Sequence, residues 1–121
     1  MQVQSFNINI NSPDPERLVA FYRDVIGLPE NPELGHCVVA GGAMLFFDGH
    51  DEITRPTREP ARVLINFFVD DLAAEQARLQ GQGVRFIREA GREPWGGVIS
   101  TFLDPDGNYV QLLEFTPEAQ G

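Results

Sequence analysis

The chain contains no lysine; all nine of its basic residues are arginine. A Schiff-base mechanism, which needs a lysine amine, is therefore excluded. The single cysteine, Cys37, excludes an intrachain disulfide and a cysteine metal cluster. No apolar run approaches the length of a membrane span, which argues against a membrane partner. The N-terminus, MQVQSFNINI, lacks a basic region followed by an apolar run, so cytoplasmic residence is expected. Basic density is also scarce. At a net charge of −9 the chain is poorly suited to nucleic acid, whose phosphates require cationic contacts. Such an acid excess would attract a cationic ligand over long range, although its plainer role is a solubilising surface.

What is present suits one domain or two small lobes: 121 residues, 42% of them hydrophobic. Gln2 to Asn11 alternates, with Phe6, Ile8 and Ile10 on an expected core face and Ser5, Asn7, Asn9 and Asn11 opposite. A row of asparagines is unusual in a strand and suits either solvent or the polar lining of a cavity. Ser12-Pro13-Asp14-Pro15 then starts a helix: Asp14 can cap, Pro15 fits the first helical position and Glu16 complements the dipole. Leu18, Phe21 or Tyr22, and Val25 recur at helical spacing until Gly27. Leu28 to Gly35 is irregular, with room for a short strand. His36–Ala40 and Ala43–Asp48 read as strands joined by Gly41-Gly42.

Residues 49–61, charged and interrupted by prolines, form the expected linker. Arg62–Val69 reads as a strand, Asp70-Asp71 as the cap of a helix over Leu72–Gln80, and Val84–Ile87 as a short strand. Gly91–Phe115 closes the chain as a loop, a strand from Val98, the turn Asp104-Pro105-Asp106-Gly107 and a last strand from Tyr109. Pro fits the second position of that turn and Gly its positive φ. The second half thus repeats the first: Asp71 lies 57 residues after Asp14, and Asn66 lies 57 after Asn9.

Three stretches then carry a resemblance: SPDPERLVAFYRDVIGL, FVDDLAAEQARLQGQGVRF and PWGGVISTFLDPDGNYVQLLE. In this order they resemble the vicinal oxygen chelate superfamily, which includes glyoxalase I, bleomycin-resistance proteins, fosfomycin-resistance enzymes and extradiol dioxygenases. The resemblance implies an α+β fold of two βαβββ modules, with curled mixed sheets forming a cup and helices outside. It implies a single domain over 1–121, with module one at about 1–48, a linker at about 49–61 and module two at about 62–116. A homodimer is also implied, and whether each cup forms within one chain or between two is left open.

Metal-dependent members of the superfamily place ligands at four cup-facing positions. Carried over by spacing, these are Asn7, Phe46 (uncertain by one or two residues), Leu64 and Gln111, where the family pattern has His, Glu or Gln. Leu64 and Phe46 cannot ligate, and two neutral amides hold a divalent ion poorly. The expectation is therefore no metal and no other cofactor. The partner expected is a small, partly aromatic organic molecule, bound and sequestered by Asn7, Asn9, Phe46, Leu64, Asn66, Phe68, Trp95, Tyr109 and Gln111. Amides with apolar walls are the ordinary lining of such a pocket. Two local readings stay open: Trp95 either closes over a ligand or packs outside, and Asn9 and Asn66 either line a site or bond to each other.

The alternative is a glyoxalase- or dioxygenase-like lyase, isomerase or oxygenase. It would use a displaced metal or polarise a carbonyl with amides and Tyr109. The acids within its reach in sequence are Asp48 and Glu114. The Asp48-His50-Asp51-Glu52 loop is dense in possible ligands but reads more simply as solvated. Turn chemistry accounts for Asp104 and Asp106, and Cys37 reads as a small core residue.

Overall fold

The computed structural model describes residues 1–115 and divides into two compact units, Met1–Pro56 and Thr57–Gly121. The last residue expected for module two, Thr116, lies outside the described residues.

The first unit runs β1 (Asn7–Asn11), α1 (Pro15–Ala20), a π-helical turn (Phe21–Ile26), β2 (Cys37–Ala40) and β3 (Ala43–Asp48). Its sheet has the order β1-β3-β2, with β1 parallel and β2 antiparallel to β3. The expected strand within Leu28–Gly35 shrinks to one antiparallel bridge, Glu30 to Val38. Two backbone bonds flank it, from Val39 N to Pro29 O (2.8 Å) and from Asn31 N to Cys37 O (3.0 Å). Pro29 has no N–H to extend the ladder, and the Asn31 side chain turns the chain by accepting from Glu33 N at 3.1 Å. The core holds Leu18, Val19, Tyr22, Val38, Leu45 and Phe47. Tyr22, not Phe21, is the fully buried helical aromatic, stacked on Phe47 at 4.9 Å and 22°.

The expected core face of the first strand needs correction. The strand begins only at Asn7; Phe6 is 68% exposed and Ile8 39%. Asn7 pairs with Met44, which leaves only Ala43 and the Gly41-Gly42 turn at the level of Phe6.

The second unit runs β4 (Ile65–Phe68), α2 (Leu72–Gly81), β5 (Phe86–Arg92), β6 (Gly97–Leu103) and β7 (Tyr109–Phe115). The sheet order is β4-β7-β6-β5, with β4 parallel to β7 and the other pairs antiparallel. β4 is shorter than expected, because Arg62 closes a turn on Glu59 (N to O 3.0 Å) and holds 62–64 out of the ladder. β5 is longer than expected. Two register shifts absorb its extra residues, so Gly91 and Arg92 pair with β6 instead of forming a loop.

The repeat is visible at the helix starts. Asp14 (φ −140°, ψ 80°) accepts from Arg17 N, and Asp71 (φ −136°, ψ 88°) from Ala74 N. Register extends the correspondence: Asn9 pairs with Phe46 in the first sheet, and Asn66 with Gln111 in the second. Each helix marks one face of its sheet. Tyr22 on Phe47 marks the first, which by alternation also carries Ile8, Ile10 and Leu45. Glu114 Oε1, accepting from Leu72 N at 2.9 Å, marks the second, with Val110 and Leu112. The opposite faces are here called helix-free.

The hairpin turn is held by Asp104. Its Oδ1 accepts from the backbone N–H groups of Asp106 and Asn108 (2.9 Å each), and its Oδ2 accepts from the Asn108 amide at 2.8 Å. Gly107 adopts φ 82°, which closes the turn. Asp104 is 5% exposed. The Asp104→Ala variant would strand these donors and is expected to lose about 3 kcal/mol of stability, since each buried unsatisfied group costs roughly 1–3 kcal/mol. Urea unfolding with unchanged slope and a lower midpoint would check this. Ser100, fully buried on the helix-covered face, has a hydroxyl without a partner among the described residues, so Ser100→Ala in the same assay is expected to cost nothing.

Candidate functional site

On the helix-free face of the first sheet, alternation aligns Asn7 and Asn9 of β1 with Met44, Phe46 and Asp48 of β3. Asn7 and Asn9 are exposed, and Phe46 and Asp48 are half-buried. Asn9 Nδ2 donates to Asp48 Oδ2 at 3.1 Å. The pairing of Asn9 with Phe46 and of Asn66 with Gln111 makes Phe46 the counterpart of Gln111. Asp48 stands two residues further along the same face, so no slip of register is needed to bring it there. Cys37, paired with Phe46, is fully buried, and burial pushes its thiol up. It is a packed residue, not a nucleophile.

The helix-free face of the second sheet carries Asn66, Phe68, Ile99, Thr101, Leu103, Tyr109, Gln111 and Leu113. Asn66 is exposed beside Gln111, and Phe68 is 70% exposed beside Leu113. Leu64 precedes the strand and is 40% exposed. Gln111 Nε2 donates to Thr101 Oγ1 at 3.1 Å across the β6–β7 pair. Within the two units, therefore, Asn9 and Asn66 have different partners: Asn9 bonds to Asp48, and Asn66 sits beside Gln111. Glu114, one of two acids considered for catalysis, is on the helix-covered face and serves the start of α2.

Trp95 lies on the helix-free face. Its ring covers Gly97, whose place for a Cβ falls 1.9 Å from the Trp95 ring edge, and it stacks on Phe115 at 6.4 Å and 3°. Gly97 pairs with Phe115 in line with Ile99–Leu113 and Thr101–Gln111. Trp95 thus extends the Gln111 face, held by a tight turn in which Glu93 N bonds to Gly97 O at 2.8 Å and Gly96 N to Glu93 O at 3.0 Å. It is 44% exposed. Nearby, Arg88 pairs with Glu93 at 2.8 Å, so this face carries both signs of charge.

Three features escaped the sequence reading. One is Asp48 bound to Asn9, which extending the Met44-Phe46-Asp48 alternation by one step would have found. The other two are the Thr101 partner of Gln111 and the Gly97 seat of Trp95. These depend on β6–β7 register, which no local signal supplies.

The four positions of the implied metal set offer two carboxamides, a phenyl and an isobutyl group. That donor set fits a divalent ion poorly: only the two amide oxygens could ligate, and no imidazole, carboxylate or thiolate stands with them to supply charge or basicity. Among the described residues no three His, Cys, Asp or Glu side chains converge. His50 Nδ1 accepts from Glu52 N at 3.1 Å, so the 48–52 loop spends that donor atom on its own turn.

The family model for the Glyoxalase/Bleomycin resistance protein/Dioxygenase superfamily matches residues 5–112. No curated protein sequence matches the chain. Among solved structures, a glyoxalase/bleomycin resistance protein/dioxygenase family enzyme from Burkholderia phytofirmans PsJN is similar, with TM-score 0.78 and 18% identity over 91% of this chain and 97% of that one. A lactoylglutathione lyase from Agrobacterium tumefaciens gives 0.67 at 23% identity over 94% and 96%. A glyoxalase/bleomycin resistance protein/dioxygenase from Nocardioides gives 0.74 at 15% over 97% and 86%. At these identities the likeness concerns the fold.

Gly97→Ala tests the placement of Trp95. The added methyl occupies the space of the indole, so the ring must leave. As Trp95 is the only tryptophan, its fluorescence reports the change directly. A red-shifted, more readily quenched emission is expected; an unchanged spectrum would contradict the placement.

Proposed function

The chain belongs to the Glyoxalase/Bleomycin resistance protein/Dioxygenase superfamily, and on that premise we propose that it binds a small, partly aromatic organic molecule without a metal ion and without changing it. The observation that carries this reading is the composition of the two helix-free faces. Asn7, Asn9, Asn66 and Gln111 supply amides, while Phe46, Phe68, Tyr109 and Trp95 supply aromatic surface. Aromatic walls with a few directional polar groups bind organic molecules by burial and orient them by hydrogen bonds. At the four inherited ligand positions, Asn7, Phe46, Leu64 and Gln111, there is no imidazole and no carboxylate. Moving a divalent ion into amides and hydrocarbon costs several kcal/mol with no carboxylate at the inherited positions to offset it.

A second reading has one observation in its favour. Asp48 is a carboxylate on the helix-free face, hydrogen-bonded to an amide, and a base in that place could remove a proton from a bound carbonyl compound. It is alone there: its counterpart across the repeat, Leu113, is apolar.

The two readings separate by experiment. Thermal melts with zinc, nickel, manganese and ferrous iron are expected to leave the melting temperature within about 2 °C, as mass action requires of ligands that do not bind the native state. Aromatic compounds from a library that do raise it are expected to come back from incubation with unchanged mass. A large metal-dependent rise would contradict the metal-free reading. A compound recovered altered, with the alteration lost in Asp48→Asn, would establish the second.

A further inference from the structure

We infer that the helix-free face of the first unit receives a cationic nitrogen of the ligand, an ammonium or amidinium group, with Asp48 as its counter-ion. The inference rests on the small-molecule reading above and adds the charge and the contact point. The Asp48 carboxylate is half-buried at the end of β3, and its main-chain oxygen is occupied by Ser12 N at 2.9 Å. Asn9 Nδ2 holds one carboxylate oxygen at 3.1 Å. Among the described residues no arginine pairs with it. Of the three arginines in Met1–Pro56, Arg17 lies on α1, Arg23 binds Asp24 (2.8 Å) and Glu30 (3.6 Å), and Arg55 lies in the segment after β3. Among the described residues Asp48 therefore has hydrogen-bond support and no charge partner.

Its surroundings suit an organic cation better than a hydrated metal. Phe46 precedes Asp48 by one alternation step and pairs with Asn9, so an aromatic side chain, a carboxylate and an amide share one face. An aromatic ring beside a carboxylate favours cations that carry hydrocarbon, because the ring attracts positive charge while its apolar surface covers the ligand's carbon. The unit holds eight carboxylates against three guanidiniums, so the longer-range field has the same sign as the local one. In the second unit the corresponding place is Leu113, and the acid near Trp95, Glu93, is already paired with Arg88. The charge preference is thus confined to one of the two faces.

The test uses matched probes, benzylamine and benzyl alcohol, which share a ring and differ in charge at neutral pH. Binding to the full chain is followed by backbone amide shifts of Asn9, Phe46 and Asp48. Benzylamine is expected to bind about tenfold more tightly than benzyl alcohol at low salt, a ratio that narrows as sodium chloride screens the pair. Asp48→Asn is expected to abolish that ratio by weakening the amine alone, and Asp48→Glu to retain part of it. Equal binding of the two probes, or a preference that survives in Asp48→Asn, overturns the assignment of Asp48 and leaves the small-molecule reading standing. Failure of both probes to shift any residue of either helix-free face overturns both. Should Asp48→Asn fail to fold, the amine-to-alcohol ratio and its salt dependence in the unaltered chain still decide the matter.

Discussion

Parallel pairing of the first strand of each unit with its last strand is the constraint on which everything else depends. It sets Asn9 against Phe46 and Asn66 against Gln111, and so decides which side chains share a face. A shift of one residue in either pairing would send Gln111 or Phe46 to the helix side and bring Leu112 or Phe47 out. The shift is opposed by the helices. Tyr22 stacks on Phe47, and Glu114 holds the N-terminus of α2, so each sheet is tied to its helix by a contact on the opposite face. The packing that makes the fold thereby fixes the composition of the helix-free faces.

On the proposed reading, that composition is what distinguishes this chain from the metal-dependent members of its superfamily. An ion-binding face needs charged or strongly basic donors held at fixed positions; the faces here present carboxamides and rings. Asp48 is the exception, and it is bonded to Asn9 instead of being grouped with other acids. On the proposed reading such an acid attracts an organic cation instead of assembling a metal site. Trp95, resting where a side chain on Gly97 would stand, adds a rigid aromatic surface at the far end of the Gln111 face.

Much of this was legible in the sequence, and for identifiable reasons. The cap at Asp14 with Pro15 behind it, the matching Asp71 and the Asp-Pro-Asp-Gly turn are local signals, and each formed the expected structure, while the strand expected over Gln2–Asn11 formed only at Asn7–Asn11. The correspondence of Phe46 with Gln111, uncertain by a residue or two from spacing, is fixed by register. What failed was context. Phe6 is exposed although its alternation is apolar, since burial depends on what stands opposite. β5 runs to Arg92 through two irregularities that no residue pattern announces. The sequence presents the π-helical turn at Phe21–Ile26 as a continuation of α1, since its residue types do not mark which backbone hydrogen-bond pattern forms.

On the proposed reading these faces hold an organic molecule and not a metal ion. Native mass spectrometry of the chain, purified from its own source without chelator or affinity tag, weighs whatever is retained. The expected result is either the bare chain or an adduct whose mass is that of an organic compound released intact on denaturation. A stoichiometric adduct with the mass of a transition metal, removed by chelator and lost on substituting Gln111 or Asp48, would contradict it.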